Sequence, residues 1–115
     1  FVLIQIEDRE ALDELDEICS VPGIDIIFFG PGDFSQSLGK PGDLDCPEVA
    51  DARKRVAECA LKHGKFAGTV GSAEMLPMLH GLGYQFVNLG ADVVAFGAYC
   101  KEIQSKIKTL PGRFI

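Results

Sequence analysis

The chain lacks any surplus of basic residues. Its 115 residues include 11 Lys and Arg against 17 Asp and Glu, which gives a formal net charge of −6 and a pI of about 4.8. A protein that binds nucleic acid or an anionic membrane surface needs a basic patch to neutralise phosphates. The composition therefore predicts that neither nucleic acid nor a membrane is a partner.

Long apolar runs and a basic leader are also missing. No uninterrupted apolar stretch approaches the roughly 20 residues that span a bilayer. The first residues form an apolar run that begins in mid-strand, without an initiator methionine or a charged leader. The composition, 47% apolar and 24% charged, is that of a soluble globular protein. We expect a soluble chain that is one part of a longer polypeptide.

No Cys-x-x-Cys pair occurs in the sequence. The four cysteines, Cys19, Cys46, Cys59 and Cys100, are widely scattered. This spacing favours roles as small buried apolar residues over roles as metal ligands or disulfide partners. Unpaired cysteines in turn predict a reducing, cytoplasmic location.

Two strand-like runs end in carboxylates. Residues 1–6 are followed by Glu7, and residues 25–29 lead into Gly30-Pro31-Gly32-Asp33. Runs of β-branched and aromatic residues are typical of buried parallel strands, and Gly-Pro-Gly predicts a tight loop after the second one. Because α/β proteins carry their chemistry at the carboxyl ends of strands, Glu7 and Asp33 are candidate site residues.

The rest of the chain continues the alternation. Asp8 is the predicted cap of a helix over residues 11–19, and a long loop is predicted over residues 36–45. Pro47 fits the first turn of a helix over residues 47–63, capped by Asp45 or Cys46. Further strands are predicted at 65–69 and 85–89, and further helices at 72–82 and 92–109, with Pro77 disturbing the first of these.

Four β-α units predict a parallel sheet with right-handed crossovers. Such a sheet is either a small open one or half of an eight-stranded barrel. The outer strands, residues 1–6 and 85–89, carry little of the protection that exposed sheet edges need. We therefore interpret residues 1–115 as a single partial domain, the second half of a (β/α)8 TIM barrel.

Glu7 and Asp33 are expected to point into the same barrel mouth. Two like charges at close range require a proton or a cation between them, and oxygen ligands favour Mg²⁺ or Mn²⁺. Helix capping is the alternative role for both. Gln5 faces the same side as Glu7, where it either donates to a substrate or is a buried polar residue satisfied inside the barrel. Backbone N–H groups around Gly32 suit the carboxylate of a 2-oxo acid.

These motifs resemble the HpcH/HpaI aldolase family, class II enzymes of aromatic and sugar-acid catabolism. The resemblance is carried by residues 5–7, 21–25, 30–35 and 37–42, with weaker similarity at 64–68 and 83–92. It implies that Glu7 and Asp33 are the ligands of a divalent metal: Mg²⁺, Mn²⁺ or Co²⁺. It further implies that Gln5 contacts the substrate and that the backbone amide of Gly32 holds the pyruvate carboxylate.

The same resemblance implies an activity and an assembly. Family members cleave 4-hydroxy-2-oxo acids to pyruvate and an aldehyde, and they are usually hexamers that exchange C-terminal helices. Their acid/base histidine and substrate-polarising arginine lie in the first half of the barrel, so no catalytic residue is assigned in this chain. His63 and His80 are expected on the outer helices. The alternatives are a citrate-lyase-β-like or malyl-CoA-lyase-like enzyme, or a non-catalytic metal-binding half-barrel.

Overall fold

Four parallel strands form one sheet in the computed structural model, which describes residues 1–109 and 111–112. The strands follow one another across the sheet in chain order, so each helical crossover joins neighbouring strands. They are β1 (Leu3–Ile6), β2 (Ile26–Phe29), β3 (Phe66–Val70) and β4 (Tyr84–Asn88). The predicted parallel arrangement of four β-α units is confirmed.

Helices occupy the connections and the end of the described chain. They are α1 (Arg9–Asp13), α2 (Leu15–Ser20), α3 (Pro31–Ser37), α4 (Pro47–Lys62), α5 (Leu76–Gly81) and α6 (Asp92–Lys108), with a 3₁₀ turn at Ala73–Met75. None of the helices in the described residues is long and apolar enough to cross a membrane.

The predicted Gly-Pro-Gly loop is wrong in one respect: β2 leads directly into a helix. Pro31 occupies the first turn of α3, where its missing N–H is tolerated, and Gly30 is the residue before it. The loop predicted over residues 36–45 consequently begins later, after Ser37. It is held against α3 by Ser35, whose hydroxyl donates to the Gly32 carbonyl at 2.7 Å and accepts from the Gly42 N–H at 3.0 Å.

Two other predicted helices are divided. The Asp8 cap is confirmed, since its carboxylate accepts from the Ala11 N–H at 2.7 Å. The helix predicted over residues 11–19 is nevertheless interrupted at Glu14, whose backbone leaves the helical region at φ −94° and ψ 12°. Between β3 and β4, Pro77 lies in the first turn of α5, so the α-helix starts later than predicted.

The core lies between the helices and one face of the sheet. Ile27 and Phe29 of β2 are fully buried there, against Val49 and Val56 of α4. The smaller residues on that helix face, Ala52, Ala57 and Ala60, are equally inaccessible and bring the helix close to the strands. Pro47 begins α4 and Cys46 precedes it, as predicted.

The apolar side chains of α6 remain exposed. Val93 is 73% exposed and Phe96 is 69% exposed, and α6 buries none of its residues. Cys100, Ile103 and Ile107 of the same helix are exposed as well. The helix therefore adds nothing to the core of this chain.

The other face of the sheet is built around Gly68. Gln5, Phe28, Gly68 and Phe86 form one row across the four strands. The Phe28 and Phe86 rings pack edge to face over the glycine, with centroids 6.2 Å apart. A Cβ atom at Gly68 would lie 2.8 Å from the Phe28 ring, so only glycine fits this position without displacing a neighbour.

We predict that Gly68→Ala destabilises the protein by about 1–3 kcal/mol, because the added methyl group overpacks the aromatic pair. Urea denaturation would measure this loss. Gly81→Ala is the matched control, since nothing lies within 4 Å of its Cβ position. Equal free energies of unfolding for Gly68→Ala and the wild type would contradict the packing described above.

Candidate functional site

Strands β1 and β2 end side by side. Ile6 pairs with Phe29 in register, and the Gly30 N–H donates to the Ile6 carbonyl oxygen at 3.0 Å. Glu7 follows Ile6 directly, and Asp33 lies in the first turn of α3. The two carboxylate-bearing residues therefore leave the sheet at the same edge.

Gln5 and Glu7 are joined by a hydrogen bond. The Gln5 side-chain amide donates from Nε2 to Oε2 of Glu7 at 2.6 Å, and both residues are exposed. Gln5 is therefore exposed in this half of the barrel. Its amide lies over Gly30, where a Cβ atom would come within 2.5 Å of Nε2. The Gln5 amide fits at this position because Gly30 has no side chain.

A cavity of about 670 Å³ opens beside these residues. Gln5, Gly32 and Asp33 line it together, whereas Glu7 is not part of the lining and is connected to it by the hydrogen bond from Gln5. Its remaining walls come from the sheet and from the segments that follow the strands: Leu3, Phe28, Gly30, Pro31, Val70, Phe86, Val87, Asn88 and Leu89. The cavity therefore has an apolar floor and a polar rim at the carboxyl ends of the strands.

Neither carboxylate acts as a helix cap. The cap of α1 is Asp8, and the residue that precedes α3 is Gly30, which offers no side chain. Asp33 lies inside the first turn of α3 and is exposed. No hydrogen bond or ion pair joins its carboxylate to another residue within the described part of the chain. The capping alternative is therefore wrong for Glu7 and Asp33.

Asn88 also lines this cavity, and the sequence interpretation did not include it. It is the last residue of β4 and lines the cavity together with Asp33. Its signal was present, since it is a polar residue at the end of a strand-like run, like Glu7.

A second group of polar side chains lies on the outer helices. Oδ1 of Asp16 on α2 is 2.9 Å from Nε2 of His63 and 2.6 Å from Nζ of Lys62. Cys59 adds its sulfur, and the potential ligand atoms of Asp16, Cys59 and His63 lie within 4.8 Å of one another. Because Lys62 already engages the Asp16 oxygen, we interpret the group as a polar link between α2 and α4. It is remote from Glu7 and Asp33 in the fold.

The cysteines only partly follow the prediction. Cys19 and Cys46 are buried and Cys59 is half-buried, but Cys100 on α6 is exposed. Burial raises the pKa of the Cys19 thiol to about 12, and the neighbouring Cys59 thiol contributes further. Cys19 thus stays protonated and acts as an apolar core residue.

Comparison with known proteins identifies the family. The family model described as HpcH/HpaI aldolase/citrate lyase matches residues 1–98. The chain belongs to this family. A 2-keto-3-deoxy-L-rhamnonate aldolase from Escherichia coli is 39% identical over 100 residues, which cover 83% of this chain and 36% of the relative. The chain thus spans just over a third of the length of this HpcH/HpaI relative.

Solved HpcH/HpaI structures share the fold. An HpcH/HpaI aldolase from Desulfitobacterium hafniense superimposes with a TM-score of 0.90 at 31% identity, covering all of this chain and 45% of that one. The citrate synthase SbnG superimposes with a TM-score of 0.88 at 28% identity, and the match covers 94% of this chain and 44% of the SbnG chain. The prediction of an α/β chain that forms about half of a TIM barrel is confirmed.

We predict that Gly30→Ala displaces the Gln5 amide and breaks its hydrogen bond to Glu7, because the new methyl group would lie only 2.5 Å from Nε2. The fold should persist, since the exposed end of Gln5 can rotate away. The side-chain amide resonances of Gln5 in NMR spectra would report the change. Gly32→Ala is the control, with open space at its Cβ position; resonances equally unchanged in both variants would contradict the contact.

We predict that Asp16 makes stability depend on acid pH. Hydrogen bonds from His63 and then Lys62 lower the pKa of Asp16 from 3.8 to about 2. A carboxyl whose pKa is lower in the folded state stabilises it fully above pH 3.8, and this contribution disappears as the pH falls towards 2. The difference in unfolding free energy between the wild type and Asp16→Asn should shrink over that range. Urea denaturation between pH 7 and about pH 2 would test this, with exposed Asp13→Asn as the control.

Proposed function

We propose that this chain provides the metal-binding half of a divalent-metal-dependent aldolase, a carbon–carbon lyase. The enzyme would cleave a 4-hydroxy-2-oxo acid to pyruvate and an aldehyde. One observation carries the proposal: Glu7 and Asp33 leave adjacent parallel strands at the same edge, beside a cavity lined by Gln5 and Gly32. Membership of an aldolase and citrate lyase family supports the reaction class.

The donor set suits a hard divalent cation. Both Glu7 and Asp33 are exposed, and Glu7 uses only Oε2 to accept from Gln5. Free carboxylate oxygens are the ligands that Mg²⁺ and Mn²⁺ prefer, and Co²⁺ is a further option. A bound ion of this kind would supply Lewis acidity that stabilises the enolate of the 2-oxo acid.

Two further groups of the chain would orient the substrate. The Gln5 amide has a second N–H and a carbonyl oxygen beyond its bond to Glu7, and it lines the cavity. Gly32 is exposed in the first turn of α3, where backbone N–H groups have no acceptor within the helix. In this proposal the Gly32 amide binds the pyruvate carboxylate and Gln5 donates to the substrate.

No residue of this chain is proposed to move the proton. His63 engages Asp16 on the outer side of α4, and His80 is exposed on α5. Both positions are away from the cavity beside Gln5. We therefore infer that residues 1–115 are the C-terminal half of the barrel, and that the acid/base group belongs to the other half.

Two alternatives remain for the activity. A lyase that acts on a CoA thioester is favoured by the citrate lyase part of the family description. CoA phosphates need basic residues around the barrel mouth, however, and the lining of the cavity beside Gln5 includes no Lys or Arg among the described residues. A non-catalytic metal-binding half-barrel is the other alternative. It would bind the same ion at Glu7 and Asp33 and turn over no 2-oxo acid.

The proposal also covers the partners, the assembly and the location of the enzyme. Its partners would be pyruvate, an aldehyde and further copies of the same chain, in a hexamer by analogy with the family. The exposed apolar residues of α6, such as Phe96, are suited to contacts between copies. The unpaired cysteines agree with a cytoplasmic location.

We predict that Glu7→Gln or Asp33→Asn lowers the retro-aldol rate of the full-length protein at least about 100-fold. The loss should be this large because even contacts that support a metal ligand are worth about 10–100-fold. Pyruvate release from a 4-hydroxy-2-oxo acid, with Mn²⁺ or Mg²⁺ or with EDTA, would be measured. Exposed Glu10→Gln is the matched control and should keep the wild-type rate. Full activity in EDTA, or in both site variants, would refute the mechanism.

A further inference from the structure

Arg53 is a buried charge without a hydrogen-bonding partner in the described part of the chain. Only 8% of the residue is exposed, and its buried Nε has no acceptor among the described residues. Two other buried polar residues are satisfied: Ser35 bonds to the Gly32 carbonyl, and Thr69 donates to the Phe29 carbonyl at 2.9 Å. A guanidinium remains charged at any physiological pH, so the unmet Nε–H of Arg53 is costly to bury.

The neighbours of Arg53 do not supply the missing acceptor. Its Cζ atom lies 6.0 Å from the centre of the Phe29 ring. The ring attracts the cation through its π face, but it is not an oxygen acceptor for the guanidinium N–H groups. The Tyr84 hydroxyl donates to the Arg53 backbone carbonyl at 2.8 Å and leaves the guanidinium untouched. None of the ion pairs among the described residues includes Arg53.

Arg53 lines a cavity of about 560 Å³ at the carboxyl ends of the strands. The walls come from the segments that follow β2, β3 and β4, and Pro31, Val70 and Asn88 belong both to this cavity and to the one beside Gln5. The two cavities are therefore neighbours. Asp43 and Asp45 also line the cavity of Arg53 and are exposed to water.

We propose that Arg53 is the centre of an oxyanion-binding site next to the aldolase site. A planar guanidinium presents N–H donors in a fork that matches the oxygens of a phosphate or carboxylate group. The ligand is a small molecule with such a group: either the tail of a substrate held in the adjacent cavity or a separate inorganic anion. Binding at Arg53 does not depend on the proposed aldolase activity.

The acidic residues of the cavity limit what it accepts. Asp43 and Asp45 repel an anion that approaches from their side, so the site favours a small oxyanion that Arg53 can hold through its N–H edge. The carboxylates also provide a test of the geometry. Replacing Asp45 with Asn removes one repulsive charge and should tighten anion binding.

Isothermal titration of the full-length protein with sodium phosphate, in EDTA and at constant ionic strength, tests the proposal. One saturable phosphate per chain is expected. Arg53→Met should weaken its binding at least about tenfold, the loss expected when charge-assisted donors are removed. Arg53→Lys should weaken it less, because the charge is kept while the fork is lost. Arg55→Met is the matched control, since Arg55 lies on the same helix and is exposed.

Kinetics separate the two sources of the anion. If the substrate tail binds, Arg53→Met raises KM for glyceraldehyde 3-phosphate but leaves KM for glyceraldehyde unchanged in aldol addition to pyruvate. If a separate anion binds, both KM values change equally while phosphate binding is still lost. Either result supports the site. Absence of saturable phosphate binding to the wild type, or equal binding to the wild type and Arg53→Met, would overturn it, and neither outcome bears on the Glu7 and Asp33 proposal.

Discussion

The packing of α4 against β2 and β3 is the interaction on which the rest of this half-barrel depends. Ala52, Val56 and Ala60 are fully buried, as are Ile27 and Phe29 on the sheet face that they cover. Burying each of the larger side chains contributes about 1.5–3 kcal/mol, which outweighs any single polar contact in the chain. Because the helices fill this face, ligands are left with the other face and with the edge where the strands end.

The packing of α4 also affects the distribution of charge at the edge where the strands end. Parallel strands of matched length bring their carboxyl ends together, so Glu7 and Asp33 share one edge with the cavity that Arg53 lines. Glu7 accepts a hydrogen bond through Oε2 alone among the described residues, and the buried Nε–H of Arg53 has no acceptor among them. A cation at the first position and an anion at the second would each satisfy an unmet requirement. Bound ions would thus balance charges at this edge that the protein itself leaves unpaired in its described residues.

Much of the fold could be predicted because local patterns dictate it. The β-branched and aromatic residues of β2, the Asp8 cap and Pro47 at the start of α4 were each sufficient to place an element. The turn after β2 was misread because Gly-Pro-Gly is compatible with a loop and with the first turn of a helix. The bonds of Ser35 to Gly32 and Gly42 are short-range, but they depend on the orientation of the Ser35 hydroxyl, which residue type and spacing do not predict.

The sequence by itself determined the β-α alternation, the family and the two carboxylates at strand ends, since these follow from residue type and spacing. Only the tertiary structure decided that Gln5 lies over Gly30 and that Gly68 lies beneath the Phe28 ring. The same is true of Arg53, whose Nε is buried without an acceptor in the described part of the chain. The physical reason is register. Which side chains meet across neighbouring strands depends on how those strands align, and burial depends on what the helices cover. Neither property belongs to a residue alone.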